Sequence, residues 1–216
     1  MIHKINIVDY GIGNLFSVRR ALEVCCKKTL VVSGKTQDIL SSDLLILPGV
    51  GAFGDAIKEL QKKDLIHPIT KHVRNGKPIL GICLGMQLLA TSSEEFGSHD
   101  GLNFIPGIVE HIANLSINKE ILKIPYIGWA KQELFSSNNT HKFLKNFQQK
   151  EMYTIHSFQF KPAEKKNLLA FYNYAGNQIT SIVGHENITG VQFHPEKSGQ
   201  VGLDFLNEYI KNIDCI

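Results

Sequence analysis

Cysteine is scarce in this chain: four among 216 residues, at positions 25, 26, 83 and 215, with no Cys-x-x-Cys and no evenly spaced set. That excludes the disulfide framework of a small secreted domain and suits a reducing cytoplasm. Long hydrophobic runs are missing too. No stretch approaches membrane-spanning length, and the chain enters Ile5-Asn6-Ile7-Val8 with no charged-then-apolar leader before it, so a cytoplasmic protein without membrane contact is expected. Charge of one sign is also lacking. The 23 Lys and Arg against 20 Asp and Glu leave a net charge of +3, and Lys27-Lys28, Lys62-Lys63 and Lys165-Lys166 are scattered pairs, which argues against a nucleic-acid track.

Phosphate-binding glycine loops are absent in the same way. No Gly-Lys-Ser/Thr occurs, and Gly11-Ile12-Gly13 continues as Asn14-Leu15-Phe16. The third glycine of a dinucleotide fingerprint is missing, and a tight turn into a helix is the expectation. His67 and His72 stand five apart with no paired histidine or suitably spaced carboxylate. They read as surface histidines, and no metal or cofactor is expected.

What is present is the ordinary composition of a soluble globular protein, 43% hydrophobic and 20% charged, in a chain long enough to bury a substantial core. A single domain over residues 1–216 is expected. In the first half, short apolar runs alternate with longer helix-like segments: 4–9 then 15–26, 43–47 then 53–63, 78–82 then 84–91. This alternation predicts an α/β fold with a mostly parallel central sheet and helices on both faces. From Gly107 to Val191 the chain is richer in β-branched and aromatic segments, broken by turns such as Asn138-Asn139 and Ala175-Gly176-Asn177. These predict an antiparallel extension, with a last helix over 201–211.

Chemistry concentrates at Gly81-Ile82-Cys83-Leu84-Gly85, directly after Pro78-Ile79-Leu80. Small residues flanking a cysteine between a strand and a helix permit the cramped bend of a nucleophile elbow. Free thiols titrate near ~8.5, and a helix start beside an imidazolium brings such groups to roughly 3.5–7.5, so a thiolate would stand ready without a metal. The Leu84 N–H is then a first oxyanion donor. The glycine loop Pro48-Gly49-Val50-Gly51, closing the run Leu44-Leu45-Ile46-Leu47, is the candidate for a second. Roughly a hundred residues after Cys83 stands Phe193-His194-Pro195-Glu196, a base and a group to orient it. Each part has a plainer reading, since a lone cysteine is more often a small core residue and His-Pro-Glu alone would be an ordinary turn. Their joint occurrence favours a Cys83, His194, Glu196 triad.

These stretches, with Ile7-Val8-Asp9-Tyr10-Gly11-Ile12-Gly13-Asn14-Leu15, Leu47-Pro48-Gly49-Val50-Gly51-Ala52-Phe53-Gly54 and Gly190-Val191-Gln192-Phe193-His194-Pro195-Glu196-Lys197-Ser198, resemble the class I, triad-type glutamine amidotransferases. In detail they resemble the glutaminase subunits of imidazole glycerol phosphate synthase. The resemblance implies glutamine hydrolysis through a γ-glutamyl thioester. It also implies a heterodimer in which a (β/α)₈-barrel cyclase subunit uses the ammonia in histidine biosynthesis. It places Gly51, Gln87, Glu95 and the His156-Ser157-Phe158 segment around glutamine, and Asn14, Trp129 and Lys197 on the partner face. It further implies that the Pro48–Gly51 loop completes the oxyanion hole only with partner and substrate bound.

The chain departs from the family pattern at Pro125-Tyr126-Ile127-Gly128-Trp129-Ala130, where Pro-His-x-Gly-Trp-Asn is usual, and at Tyr153-Thr154-Ile155-His156-Ser157-Phe158, where aromatics flank His-Ser. Neither change touches the triad. They leave open a paralogous subunit that supplies ammonia for amidation of a surface-polysaccharide sugar. A free-standing cysteine hydrolase is the alternative from another class.

Overall fold

The structure, a computed structural model, describes residues 1–135 and 142–214; the expected turn at Asn138-Asn139 and Cys215 lie outside them. In the first half, β1 (Lys4–Val8) leads to α1 (Leu15–Cys25), β2 (Thr29–Ser33) to α2 (Thr36–Ser41), and β3 (Leu44–Gly49) to α3 (Phe53–Lys62) and α4 (Ile66–Arg74). Next come β4 (Ile79–Cys83) and a short α5 (Leu84–Gln87). The middle of the chain is strand-rich: β5 (Ser92–Ser93), β6 (His99–Asp100), β7 (Gly107–His111), β8 (Tyr126–Lys131), β9 (Glu133–Leu134), β10 (Glu151–His156) and β11 (Phe158–Pro162). Finally β12 (Leu168–Tyr174), β13 (Asn177–His185) and β14 (Ile188–Val191) precede α6 (Gly199–Asp214).

The main sheet runs β2-β1-β3-β4-β14-β13-β12-β9. Its first five strands are parallel, and β13, β12 and β9 extend it antiparallel. Two smaller sheets, β10-β8 and β11-β7-β5-β6, complete the extension. The β12–β13 hairpin turns at Ala175-Gly176, both with positive φ, as the sequence predicts.

Alternation along each strand divides the core. Ile5, Ile7, Leu44, Ile46, Leu80 and Ile82 face one side with Val18 and Leu22 of α1 and Phe205, Leu206 and Tyr209 of α6. Leu45, Leu47 and Ile79 face the other, against Ile39 of α2, Phe53, Ala56, Ile57 and Leu60 of α3, and Ile69 and Val73 of α4. A two-residue period in the strands meets three- and four-residue spacing in the helices, so both faces are dry. Each fully buried Leu, Ile or Phe contributes about 1.5–3 kcal/mol. The expected fold class therefore holds.

Three local readings are corrected. The helix expected over 84–91 ends at Gln87, because the Leu89 and Ala90 N–H groups bond three residues back, to Met86 and Gln87 carbonyls, tightening the turn and closing the helix. Edge strand β2 and helices α2 and α4 are additional to the predicted elements. His72 is not on the surface: it is fully buried on α4, with its ring nitrogens 3.2 Å from the Ile39 carbonyl and 3.1 Å from that of Pro78. Burial lowers its pKa against the pull of those two carbonyls.

Candidate active site

Cys83 is the last residue of β4 and the residue before α5, with φ 55° and ψ −111°. That is a rare conformation for a residue with a Cβ, and it is held by the surroundings. A Cβ on Gly81 would lie 2.6 Å from the Gly85 carbonyl oxygen, and one on Gly85 would collide with the Leu47 carbonyl oxygen of the neighbouring strand. Both positions therefore require glycine, and the bend lifts the sulfur beyond the carboxyl ends of the parallel strands, where ligands of open α/β sheets bind. Leu84 opens α5, so its N–H has no partner within the helix.

The candidate base arrives on the adjacent strand. β14 pairs with β4 in parallel, Val191 opposite Ile82, and His194 follows the strand by three residues. His194 is 2% exposed, its Nδ1 stands 2.8 Å from Glu196 Oε1, and it lines the same cleft as Cys83. Burial opposes a charge on this ring, but the hydrogen bonds and charges of Cys83 and Glu196 outweigh it and raise its pKa to about 10. A carboxylate accepts, so Nδ1 carries a proton and donates it to Glu196. Ser198 ties down the turn: its hydroxyl donates to the His194 carbonyl at 2.7 Å and accepts from the Tyr153 N–H at 2.9 Å.

Cys83, His194, Leu84, Val50, Gly51, Gln87, Glu95, His156, Ser157, Phe158 and Lys197 share one cleft of about 410 Å³. Gly49 does not line it: paired with Cys83 in the β3–β4 register, it stands behind the loop, next to Pro48, whose carbonyl accepts from the Tyr10 hydroxyl at 2.8 Å. Glu196 is likewise behind His194, with its side chain 2% exposed. A hollow of about 440 Å³ at the amino ends of the strands, around Asp43, Lys77 and Tyr209, holds no cysteine. Among the described residues no group of three or more His, Cys, Asp or Glu is placed to hold a metal, and no helix is long and apolar enough to cross a membrane.

Glu95 has a second task. Its Oε2 accepts from the Phe53 N–H at 2.6 Å, capping α3, whose own N-cap Ala52 supplies no side-chain bond. Burial raises its pKa, while the Phe53 N–H and His99 partly offset that. Glu94 beside it is exposed and outside the cleft. On the opposite wall, His156 Nδ1 stands 2.6 Å from the Phe158 carbonyl and its Nε2 2.9 Å from the Tyr172 hydroxyl. A carbonyl only accepts, so Nδ1 carries the proton and Tyr172 donates to Nε2. The backbone of 156–158 is thereby fixed.

The residues expected on a partner face each make contacts within the chain. Asn14 caps α1, accepting from the Ser17 N–H at 3.2 Å. Trp129 is half exposed and meets the Tyr153 ring edge-on at 6.0 Å, while Lys197 Nζ lies 6.0 Å from the same ring, within reach of a cation–π contact. Two of the departures from the family pattern turn inward: Tyr126 packs on Tyr172 and Tyr174, and Ala130 is buried with Ile112, Tyr172 and Ile179. They fill a small third core beneath the extension.

Four residues that shape the site went unread in the sequence: Gln192, Tyr10, Tyr172 and Phe96. Gln192 had a signal, since it lies two residues before His194 and an extended chain puts such pairs on one side. Phe96, 85% exposed at the cleft rim and edge-on to Phe158, had none.

The model of the glutamine amidotransferase class-I family matches residues 6–211. Imidazole glycerol phosphate synthase subunit HisH 1 of Legionella pneumophila (strain Paris) is 43% identical, covering 96% of this chain and 99% of that one. Subunit HisH of Geobacillus thermodenitrificans (strain NG80-2) is 40% identical over 95% and 94%. Among solved structures, PurLQS from Thermotoga maritima superposes with a TM-score of 0.72 at 19% identity, covering 99% and 100%; that likeness speaks to the fold alone. The chain belongs to the class-I glutamine amidotransferase family and, within it, to the imidazole glycerol phosphate synthase HisH subunits.

Proposed function

We propose that Cys83, His194 and Glu196 carry out the glutaminase reaction of an imidazole glycerol phosphate synthase, and that the ammonia passes to a (β/α)₈-barrel cyclase subunit. The observation that carries the reading is the line from the cleft-facing Cys83 through His194 to the buried Glu196 carboxylate.

The Cys83 thiolate attacks the side-chain amide carbon of glutamine, and the charge that develops on the oxygen meets the Leu84 N–H, with Val50 of the glycine loop as second donor. His194 gives its proton to the departing nitrogen. The neutral imidazole then takes a proton from water, which releases glutamate and restores the thiolate. Glu196 holds the ring with Nε2 toward the sulfur and stabilises its cation. In this reading Glu95 meets the substrate ammonium, while Gly51, Gln87 and backbone groups of His156, Ser157 and Phe158 frame its other groups. Asn14, Trp129 and Lys197 contact the partner. Ammonia released to neutral water is protonated and no longer a nucleophile, which favours direct delivery to a bound acceptor subunit.

The test is release of glutamate and ammonia from glutamine by this chain, alone and with a cyclase subunit plus the phosphoribosyl-formimino intermediate, with Cys83→Ala as control. Strong stimulation that vanishes in the variant is expected. Full activity alone, with no response to the cyclase, would refute the partner assignment and favour a free-standing hydrolase.

A further inference from the structure

Gln192 is fully buried immediately after β14 and belongs to no step above. Its orientation follows from a chain of obligatory donors and acceptors. The Phe158 carbonyl can only accept, and Gln87 Nε2 lies 3.0 Å from it. The same Gln87 nitrogen is 3.1 Å from Gln192 Oε1. With its oxygen engaged by that donor, the Gln192 amide turns its Nε2 toward Cys83 Sγ, at 3.7 Å. Tyr172 and His156 brace the far end through the Phe158 carbonyl.

We propose that Gln192 is a positioning residue for the nucleophile: a second donor to the Cys83 sulfur, which holds the thiolate in place and anionic independently of His194. A buried N–H aimed at a neutral thiol gains a weak bond, whereas one aimed at a thiolate gains a charge-assisted one. The amide therefore favours the ionised sulfur before attack. It favours it again when the thiolate departs from the glutamate carbonyl during hydrolysis. Gln87 then acts at one remove, by fixing which end of the Gln192 amide faces the sulfur. The inference rests on the proposed role of Cys83 as nucleophile and is tested without glutamine.

The titratable groups around the sulfur are His194 and Glu196 from the turn after β14, Tyr10 from the loop after β1, and His156 at the end of β10. Glu95 and Lys197 stand farther along the cleft. All are untouched in Q192M, Q192E and Q87M, the first two close in size to glutamine. The experiment follows iodoacetamide alkylation of Cys83, read by peptide mass spectrometry in the isolated chain, at about pH 6.5 and about pH 10. At the lower pH, Q192M and Q192E should react about tenfold more slowly than the parent, as loss of one charge-assisted bond predicts, and Q87M should fall between. At the higher pH, where thiols ionise unaided, all should agree within about twofold. Parent-like rates at pH 6.5 in both Gln192 variants would overturn the proposal, and so would equal slowing at both pH values, the mark of a merely structural change. If Q192M does not fold, Q192L, which also lacks a donor and adds no charge, decides in its place. A chain that fails to hydrolyse glutamine even with the cyclase subunit and intermediate present, yet shows this pattern, would refute the proposed reaction and leave the role of Gln192 standing.

Discussion

His156→Asn tests how firmly the wall of the cleft is built. The ring is buried, and burial is the main reason its pKa is depressed from 6.5 to about 4; the bond to the Phe158 carbonyl pulls the other way, and His194 adds to the depression. Above about pH 6.5 the ring is neutral in the folded and the unfolded chain alike, so it makes no pH-dependent contribution. As the pH falls, the unfolded chain takes up a proton near 6.5 while the folded chain resists until about 4, and folding loses stability across that window. At 1.36 kcal/mol per pH unit the loss reaches about 3 kcal/mol near pH 4. Asparagine does not titrate, and its amide can still donate to Phe158. Urea unfolding at about pH 7 and about pH 4 should therefore show the parent losing about 3 kcal/mol more than the variant. His72, whose pKa is also lowered, and the carboxylates are common to both proteins and cancel in the difference. Equal losses in parent and variant would refute a neutral, sealed His156.

Gly85→Ala drives a methyl group into the Leu47 carbonyl, so thermal unfolding should fall by several degrees and glutamine turnover by about a hundredfold or more, since a small misplacement of a nucleophile is that costly; parent-like kinetics would contradict the packing of the elbow. Glu95→Gln keeps an oxygen for the Phe53 N–H but removes the charge, so the KM for glutamine should rise about tenfold or more with kcat little changed, the size of a lost charged hydrogen bond. Glu196→Gln withdraws one of the groups that raise the His194 pKa, and the alkaline limb of kcat/KM should move to lower pH; an unmoved limb would show that Glu196 does not act on the base.

Much of this arrangement was legible because glycine and proline punctuate it. Pro78 precedes β4, Gly81 and Gly85 flank the elbow, Pro48 and Gly49 close β3, and the apolar runs are too short for helices, so the parallel half and the elbow could be read directly. Elements without such contrast were not. β2 has no fully buried residue and so lacks a strict alternation, α2 spans six residues, and α4 carries Pro68 and a buried His72 on its packed face. The candidate triad was readable as a spacing of reactive types. Gln192 and Tyr172 were not, since their roles depend on which atom of a distant residue they meet: Gln87 on one side, His156 on the other.

The pairing of β4 with β14 has a consequence for how such a protein can change. Cys83 and His194 stand at the ends of two strands joined by a single hydrogen-bonded ladder, although the chain between the strands, from residue 84 to residue 187, makes a long excursion that includes both small sheets. That excursion carries the wall at 156–158, the Glu95 hook and the half-exposed Trp129. Insertions, deletions and exchanges within it can reshape what is admitted and what docks, while the ladder keeps sulfur and imidazole in register. Much of what shapes the mouth of the cleft is thus encoded in a length of chain outside the ladder that fixes Cys83 beside His194.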